Sequence, residues 1–106
     1  MADSVRASHI LLMYAGSMRS TATRSKEEAE SQIRDLHAKA AGGEDFAALA
    51  QAHSDCPSGQ KGGDLGTFGR GQMVPEFETA TYGLQVGGLS DVIETPFGYH
   101  IIHRTE

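Results

Sequence analysis

Val5–Met13 reads VRASHILLM, and the character of this stretch decides how the rest of the chain is placed. Mixed alternation runs into the apolar residues Ile10, Leu11 and Leu12, which predicts a strand buried on much of both faces and therefore central in its sheet. A central strand needs partners on both edges. The chain offers three: a strand within the glycine-rich segment 62–77, one over Asp91–Glu94, and one over Tyr99–Arg104. The first and last strands of a small sheet can pair, which would bring the two ends of this chain together.

Tyr14–Thr23, YAGSMRSTAT, is small, polar and aperiodic, and reads as a surface loop. Ser25 and Glu28 have the S-x-x-E spacing of a capping box, with Ala29, Ile33, Leu36 and Ala40 following at helical spacing until Gly42-Gly43. Phe46, Ala47, Leu49 and Ala50 mark a short second helix, with Glu44 and Asp45 at the positive end of its dipole and a stop before Pro57. Pro75 suits the first turn of a third helix through Phe77, Ala80 and Leu84, broken by Gly87-Gly88. The order is strand, two helices, glycine-rich strand, helix and closing hairpin, an α+β arrangement with a mostly antiparallel sheet.

Within GGDLGTFGRGQMVPEF (62–77), glycines at 62, 63, 66, 69 and 71 separate Leu65, Phe68, Met73 and Phe77. Glycine permits φ > 0 and close approach, so this spacing reads as one wall of an apolar pocket. It matches neither G-x-G-x-x-G nor G-x-x-x-x-G-K-[ST], which argues against a dinucleotide or phosphate loop.

At 106 residues the chain is expected to form one domain, spanning residues 1–106. The formal charge of −5 argues against nucleic-acid binding, which needs a basic face. No apolar run approaches the roughly 18 residues of a membrane span. Cys56 is the single cysteine, and the first nine residues carry no leader signature, so the cytoplasm is the expected compartment.

Five histidines occur, and two lie within predicted strands at opposite ends of the chain, His9 and His100. If those strands pair, the two imidazoles can share one face. The plain alternative is a histidine satisfied in the core. His37, His53 and His103 read as surface residues. Cys56, in HSDCPSG, is equally open to a buried inert role, and Asp55 beside it works against thiolate formation. A phosphatase reading fails because Gly62 stands where its arginine is needed, and His100 and His103 face opposite sides of a strand, which disfavours a metal pair.

SHILL (8–12), SDCPSGQKGGDLGTFGRGQMVPEFE (54–78) and TPFGYHIIHRTE (95–106) together resemble the parvulin family of peptidyl-prolyl cis-trans isomerases, over about Val5 to Glu106. SDC with GGDLG and FGRGQM resembles the branch holding the phosphorylation-directed eukaryotic and plant members, here without a preceding WW domain. The resemblance implies a four-stranded, mainly antiparallel sheet surrounded by about four helices. It implies that His9 and His100 are the paired active-site histidines, Cys56 the active-site thiol and Asp55 its acidic neighbour. Leu65, Met73 and Phe77 match the proline pocket, Gln72 and Thr95 line the same cleft, and Phe97 fills a variable position often held by phenylalanine.

The implied activity is rotation about X-Pro bonds in peptides and proteins, with no cofactor and with the chain expected to act as a monomer. The alternative is a binding module or holdase that grips Pro-containing segments without turning them. Phosphorylation-directed members carry a basic cluster in the loop after the first strand. In GSMRS one of its arginines is replaced by Met18, leaving Arg19, and Met13 replaces the basic residue that often closes the strand. Arg24 is a further cation nearby. Weak or absent preference for phosphoserine or phosphothreonine before proline is therefore expected.

Overall fold

The computed structural model describes residues 4–18, 20 and 22–106. Its elements are β1 (Ser4–Leu12), α1 (Lys26–Ala41), α2 (Phe46–His53), a 3-10 turn (Pro57–Lys61), β2 (Asp64–Gly69), α3 (Pro75–Tyr82), β3 (Ile93–Thr95) and β4 (Gly98–Arg104). The four strands lie in the order β2-β1-β4-β3 with every pair antiparallel. The ends of the chain do pair, and β1 and β4 take the two inner positions.

Alternation along β1 and β4 sorts their side chains into two cores. Ile10, Leu12, Tyr99 and Ile101 pack against Ala29, Ile33 and Leu36 of α1 and Leu49 and Ala50 of α2. On the opposite face Val5, Ala7 and Ile102 pack against Phe68 of β2 and Phe77 of α3. The sheet is thus the middle of three layers, and α3 stands alone on the face that carries His9 and His100.

β1 parts company with β2 at its midpoint. Register runs Ser4↔Gly69, Val5↔Phe68 and Arg6↔Thr67, then shifts so that Ser8 faces Asp64. Beyond Ser8 the free edge of β1 would hold unpaired backbone groups, which are costly when buried. The segment 54–63 supplies the missing partners. Gly63 O accepts from His9 N–H at 2.9 Å, and Asp55 N–H donates to Leu11 O at 2.7 Å. Ser54 Oγ accepts from Leu11 N–H at 3.1 Å, and Asp55 Oδ2 accepts from Met13 N–H at 2.8 Å. Gly63 is required for this approach: its φ is +84°, and a Cβ there would lie 2.3 Å from His9 O. This substitute edge carries Cys56 to the side of β1.

The capping box is formed, with Ser25 Oγ accepting from Glu28 N–H at 3.1 Å and Glu28 Oε1 from Ser25 N–H at 2.9 Å. The described residues hold three α-helices and one 3-10 turn, in keeping with the about four helices expected, and Pro57 opens that turn while left-handed Gly62 closes it after five residues. Other expectations need correction. Leu84 lies past the end of α3. β3 begins at Ile93 rather than Asp91, since Ser90 Oγ takes the ladder N–H of Ile102 at 2.9 Å and interrupts regular pairing. Of the histidines read as surface residues only His53 is exposed. His37 Nε2 bonds Ser90 O at 2.9 Å, and His103 packs its ring 5.5 Å from that of Phe46.

Candidate active site

In the β1–β4 pairing His9 faces Ile102 and Leu11 faces His100, so the two histidines are diagonal neighbours on one face. Their Nδ1 atoms are 3.2 Å apart and their rings stack at 24° with centroids 5.4 Å apart. His100 Nε2 lies 2.7 Å from Thr95 Oγ1, which also accepts the backbone N–H of Phe97 at 3.2 Å. A threonine hydroxyl has one hydrogen to give, and His100 Nε2 is the acceptor in reach. With Thr95 Oγ1 as the donor to His100 Nε2, the proton of His100 sits on Nδ1 and donates to His9 Nδ1, leaving the proton of His9 on Nε2. That atom is the one buried side-chain nitrogen or oxygen without a partner among the described residues.

Burial sets the charge of the pair. His9 is 5% exposed and His100 4%. Removal from water pushes His9 down to about 4, and His100 down to about 3, with the neighbouring His9 a lesser cause for His100. Both imidazoles are neutral at pH 7.

Phe77, the buried aromatic residue of α3, sets its ring edge-on to both, at 5.5 Å from His9 and 5.7 Å from His100, each at 79°. It forms one wall of a cavity of about 370 Å³ whose other lining includes Leu65, Met73, Val74, Gln72 and Phe97. Cys56 and Pro57 close it on the side of the substitute edge. Cys56 is half-buried, and its sulfur accepts from the Ser58 hydroxyl at 3.1 Å. Among the described residues no Lys, Arg, Asp or Glu lines this space. A larger groove of about 620 Å³ between α1 and the end of α2 is polar and of mixed charge, with Arg24, Asp35, Lys39 and Asp55 on its walls. Among the described residues apolar surface, the thiol and neutral imidazoles meet in the smaller one.

Eight of the residues expected from the sequence therefore share one cavity: His9, Cys56, His100, Leu65, Met73, Phe77, Gln72 and Phe97. Thr95 is buried behind His100 rather than on the cavity wall. Asp55 does not line the space. Ser54 and Cys56 both have extended backbone, so successive side chains diverge, and the Asp55 carboxylate binds Met13 N–H and the Arg24 guanidinium instead. Arg24 also donates to Met13 O at 2.9 Å. Arg19 lies outside the described residues. Leu11, Met13, Pro57 and Val74 line the cavity without having been singled out for it. Leu11 and Met13 were reachable from the strand period alone, two and four residues beyond His9.

The family model for the PPIC-type PPIase domain matches residues 1–106. The peptidyl-prolyl cis-trans isomerase Pin1 of Arabidopsis thaliana is 43% identical, over 97% of this chain and 96% of that one. Among solved structures, peptidyl-prolyl isomerase ESS1 from Candida albicans superposes with a TM-score of 0.91 at 37% identity, covering 98% of this chain and 63% of that one. The parvulin of Nitrosopumilus maritimus gives 0.70 at 36% identity, covering 100% and 99%. The geometry of a slot with neutral polar walls and the match across the whole chain agree, and the protein belongs to the PPIC-type, or parvulin, peptidyl-prolyl cis-trans isomerases.

Proposed function

We propose that the 370 Å³ cavity is where this isomerase holds and turns its proline, and that residues 1–106 act as a single domain for that purpose. Rotation about the C–N bond crosses a barrier of about 18 to 20 kcal/mol created by amide resonance. Uncatalysed, it takes tens to hundreds of seconds. At the top of the barrier the nitrogen is pyramidal and the carbonyl no longer shares its π electrons with C–N, so a site needs only to favour that twisted form. Leu65, Met73 and Phe77 grip the pyrrolidine ring, with Gln72 and Phe97 at the rim. His9, His100 and Cys56 provide fixed dipoles for the rotating carbonyl, and Thr95 holds the His100 ring in place from behind. About 4 to 8 kcal/mol of differential stabilisation yields roughly a thousand- to a millionfold acceleration, within reach of a few oriented dipoles in a dry site.

The observation that carries this reading is the placing of a neutral, hydrogen-bonded imidazole pair against the same apolar wall as the thiol. Asp55 serves it indirectly, by tying the Cys56 loop to the end of β1. Catalysis is non-covalent, and two Cys56 variants separate it from nucleophilic attack. Cys56→Asp is expected to retain more than a tenth of parental kcat/KM on an Ala-Pro peptide, measured by exchange spectroscopy, because a polar group remains at the rim. Loss of all exchange in both Cys56→Asp and Cys56→Ser, with the fold intact, would establish a covalent role instead.

Phosphate before proline is not required. Among the described residues the cavity wall holds no cation, and Arg24 is engaged by Asp55 and Met13 O. Peptides with phosphoserine and glutamate before proline are expected to differ by less than tenfold in kcat/KM, and a preference for phosphate of a hundredfold or more would refute this. Met18 and Val86 are the exposed large apolar side chains among the described residues, which favours a monomer. The net charge of −5 disfavours nucleic acid, and among the described residues no helix is long and apolar enough to cross a membrane. A free, half-buried thiol in the site suits a reducing compartment such as the cytoplasm.

A further inference from the structure

We infer that Arg24 is a positioning residue for the isomerisation: from outside the slot it clasps the end of β1 to the Cys56 segment, and so sets where the thiol stands against the proline. The inference rests on the proline-slot reading above and adds to it a residue that does not touch the substrate. Arg24 and Asp55 both line the larger, polar groove between α1 and the end of α2, and neither lines the 370 Å³ cavity. What they hold does line it: Met13, bonded to both, and Cys56, next in the chain after Asp55.

The start of α1 delivers Arg24 to this place. Arg24 precedes the N-cap Ser25, whose capping box fixes the first turn, and its carbonyl accepts from Ala15 N–H at 2.9 Å. From that anchored backbone a single nitrogen, Nη1, donates to Met13 O at 2.9 Å and to the Asp55 carboxylate. Asp55 Oδ2 also accepts from Met13 N–H, so the three residues close a ring. The ion-paired side chains are only 26% and 29% exposed, so a carboxylate that lost its cation would be left incompletely hydrated and would draw its segment outward. The thiol cannot resist this, because its own bond is to Ser58 on the same segment. Leu11 still holds the backbone, through Asp55 N–H and Ser54 Oγ, so the fold survives and the displacement is confined to the Cys56 side of the slot. Misplacing a reacting group by about an ångström costs up to a hundredfold in rate, and a partial displacement correspondingly less.

Arg24→Met keeps the apolar stem and removes the charge. On Ala-Ala-Pro-Ala, which carries no charged side chain, exchange spectroscopy at several peptide concentrations is expected to show kcat lowered about tenfold. KM is expected to change less than threefold, since Leu65, Met73 and Phe77 still grip the ring. Arg24→Lys is expected to recover to within threefold of the parent, because one nitrogen serves both acceptors and an ammonium carries three donors. Asp55→Ala is expected to lose at least as much as Arg24→Met, and the double variant no more than threefold beyond Asp55→Ala, since both substitutions open the same clasp. Circular dichroism gives the folded fraction by which each rate is corrected. A melting temperature lowered in Arg24→Met with kcat per folded molecule within threefold of the parent would make Arg24 structural alone. That result would overturn the inference while leaving the isomerase reading in place. So would losses that multiply in the double variant, a lysine variant as slow as the methionine one, or a loss confined to peptides with phosphoserine before proline, which would make Arg24 a substrate contact. Absence of exchange with the parent protein would remove the isomerase reading and the clasp together.

Discussion

Phe77→Ala is expected to lower kcat/KM on proline peptides by a hundredfold or more and to destabilise the fold by about 3 to 5 kcal/mol. The two effects have one cause. The Phe77 side chain is 3% exposed and belongs to the core with Val5, Ala7, Phe68 and Ile102. The same ring meets Phe68 at 6.0 Å and stands edge-on to both imidazoles. Truncation removes the wall shared by core and cavity, so the proline ring loses its main contact and water reaches the histidine pair. A hundredfold loss corresponds to about 3 kcal/mol of transition-state stabilisation, a fair share for the largest apolar surface in the slot. Stability of this order is a large fraction of the about 5 to 15 kcal/mol typical of a domain. Activity is therefore measured in the cold, with the folded fraction taken from circular dichroism. Phe77→Leu keeps most of the volume and is expected to cost less than about 1.5 kcal/mol and about tenfold in activity. If Phe77→Ala, corrected for folded fraction, isomerises within threefold of the parent, Phe77 is core alone and the slot lies elsewhere.

What made the site legible in the sequence was the pairing of the chain's two ends. Once the strands containing His9 and His100 are adjacent, the period of two brings both imidazoles to one face, and the glycine-spaced apolar residues can only be the opposing wall. Asp55 shows where such reasoning stops. Its adjacency to Cys56 suggests shared chemistry, but extended backbone at Ser54 and Cys56 sends the two side chains apart, one to the cavity and one to Met13 and Arg24. No local pattern announces that β2 leaves β1 at Ser8 and that the 54–63 segment takes over the edge. That exchange is a long-range event, decided by where a glycine at 63 lets one backbone approach another. The 3-10 turn has the same character, since Pro57 reads equally well as the end of α2 and as the start of something new. Leu11 lay on the legible face within a run that reads as core, because periodicity separates the two faces of a strand but not core from cavity on one face.

Acidification is expected to unfold the protein earlier than its carboxylates alone would, with stability falling by up to about 3 kcal/mol per pH unit between pH 6 and 4. The sign follows from where protons bind. In the unfolded chain a histidine takes up its proton near pH 6.5. In the folded protein His9 does so near 4 and His100 near 3, because both are buried. Between those values the unfolded state binds more protons, so stability is complete above about 6.5 and is lost as pH falls toward the folded values. One group contributes about 1.4 kcal/mol per unit of pH across its window, and two together about twice that. The geometry adds a reason for the order of events. A single proton added to the pair still allows one Nδ1–H to face one Nδ1 lone pair at 3.2 Å, whereas a second would set two N–H groups against each other. Urea titrations at half-unit steps of pH read the slope, and nuclear magnetic resonance of the imidazole C–H signals reads the groups directly. Neither His9 nor His100 is expected to titrate above pH 5 in the folded protein, and kcat/KM should carry no inflection from them between pH 6 and 8. A variant with His9→Leu and His100→Leu, similar in volume but unable to bind protons, should lose the corresponding part of the slope. Titration of either imidazole near 6.5 with the fold intact would show that water already reaches the pair, and the dry polar wall assigned to this site would have to be abandoned.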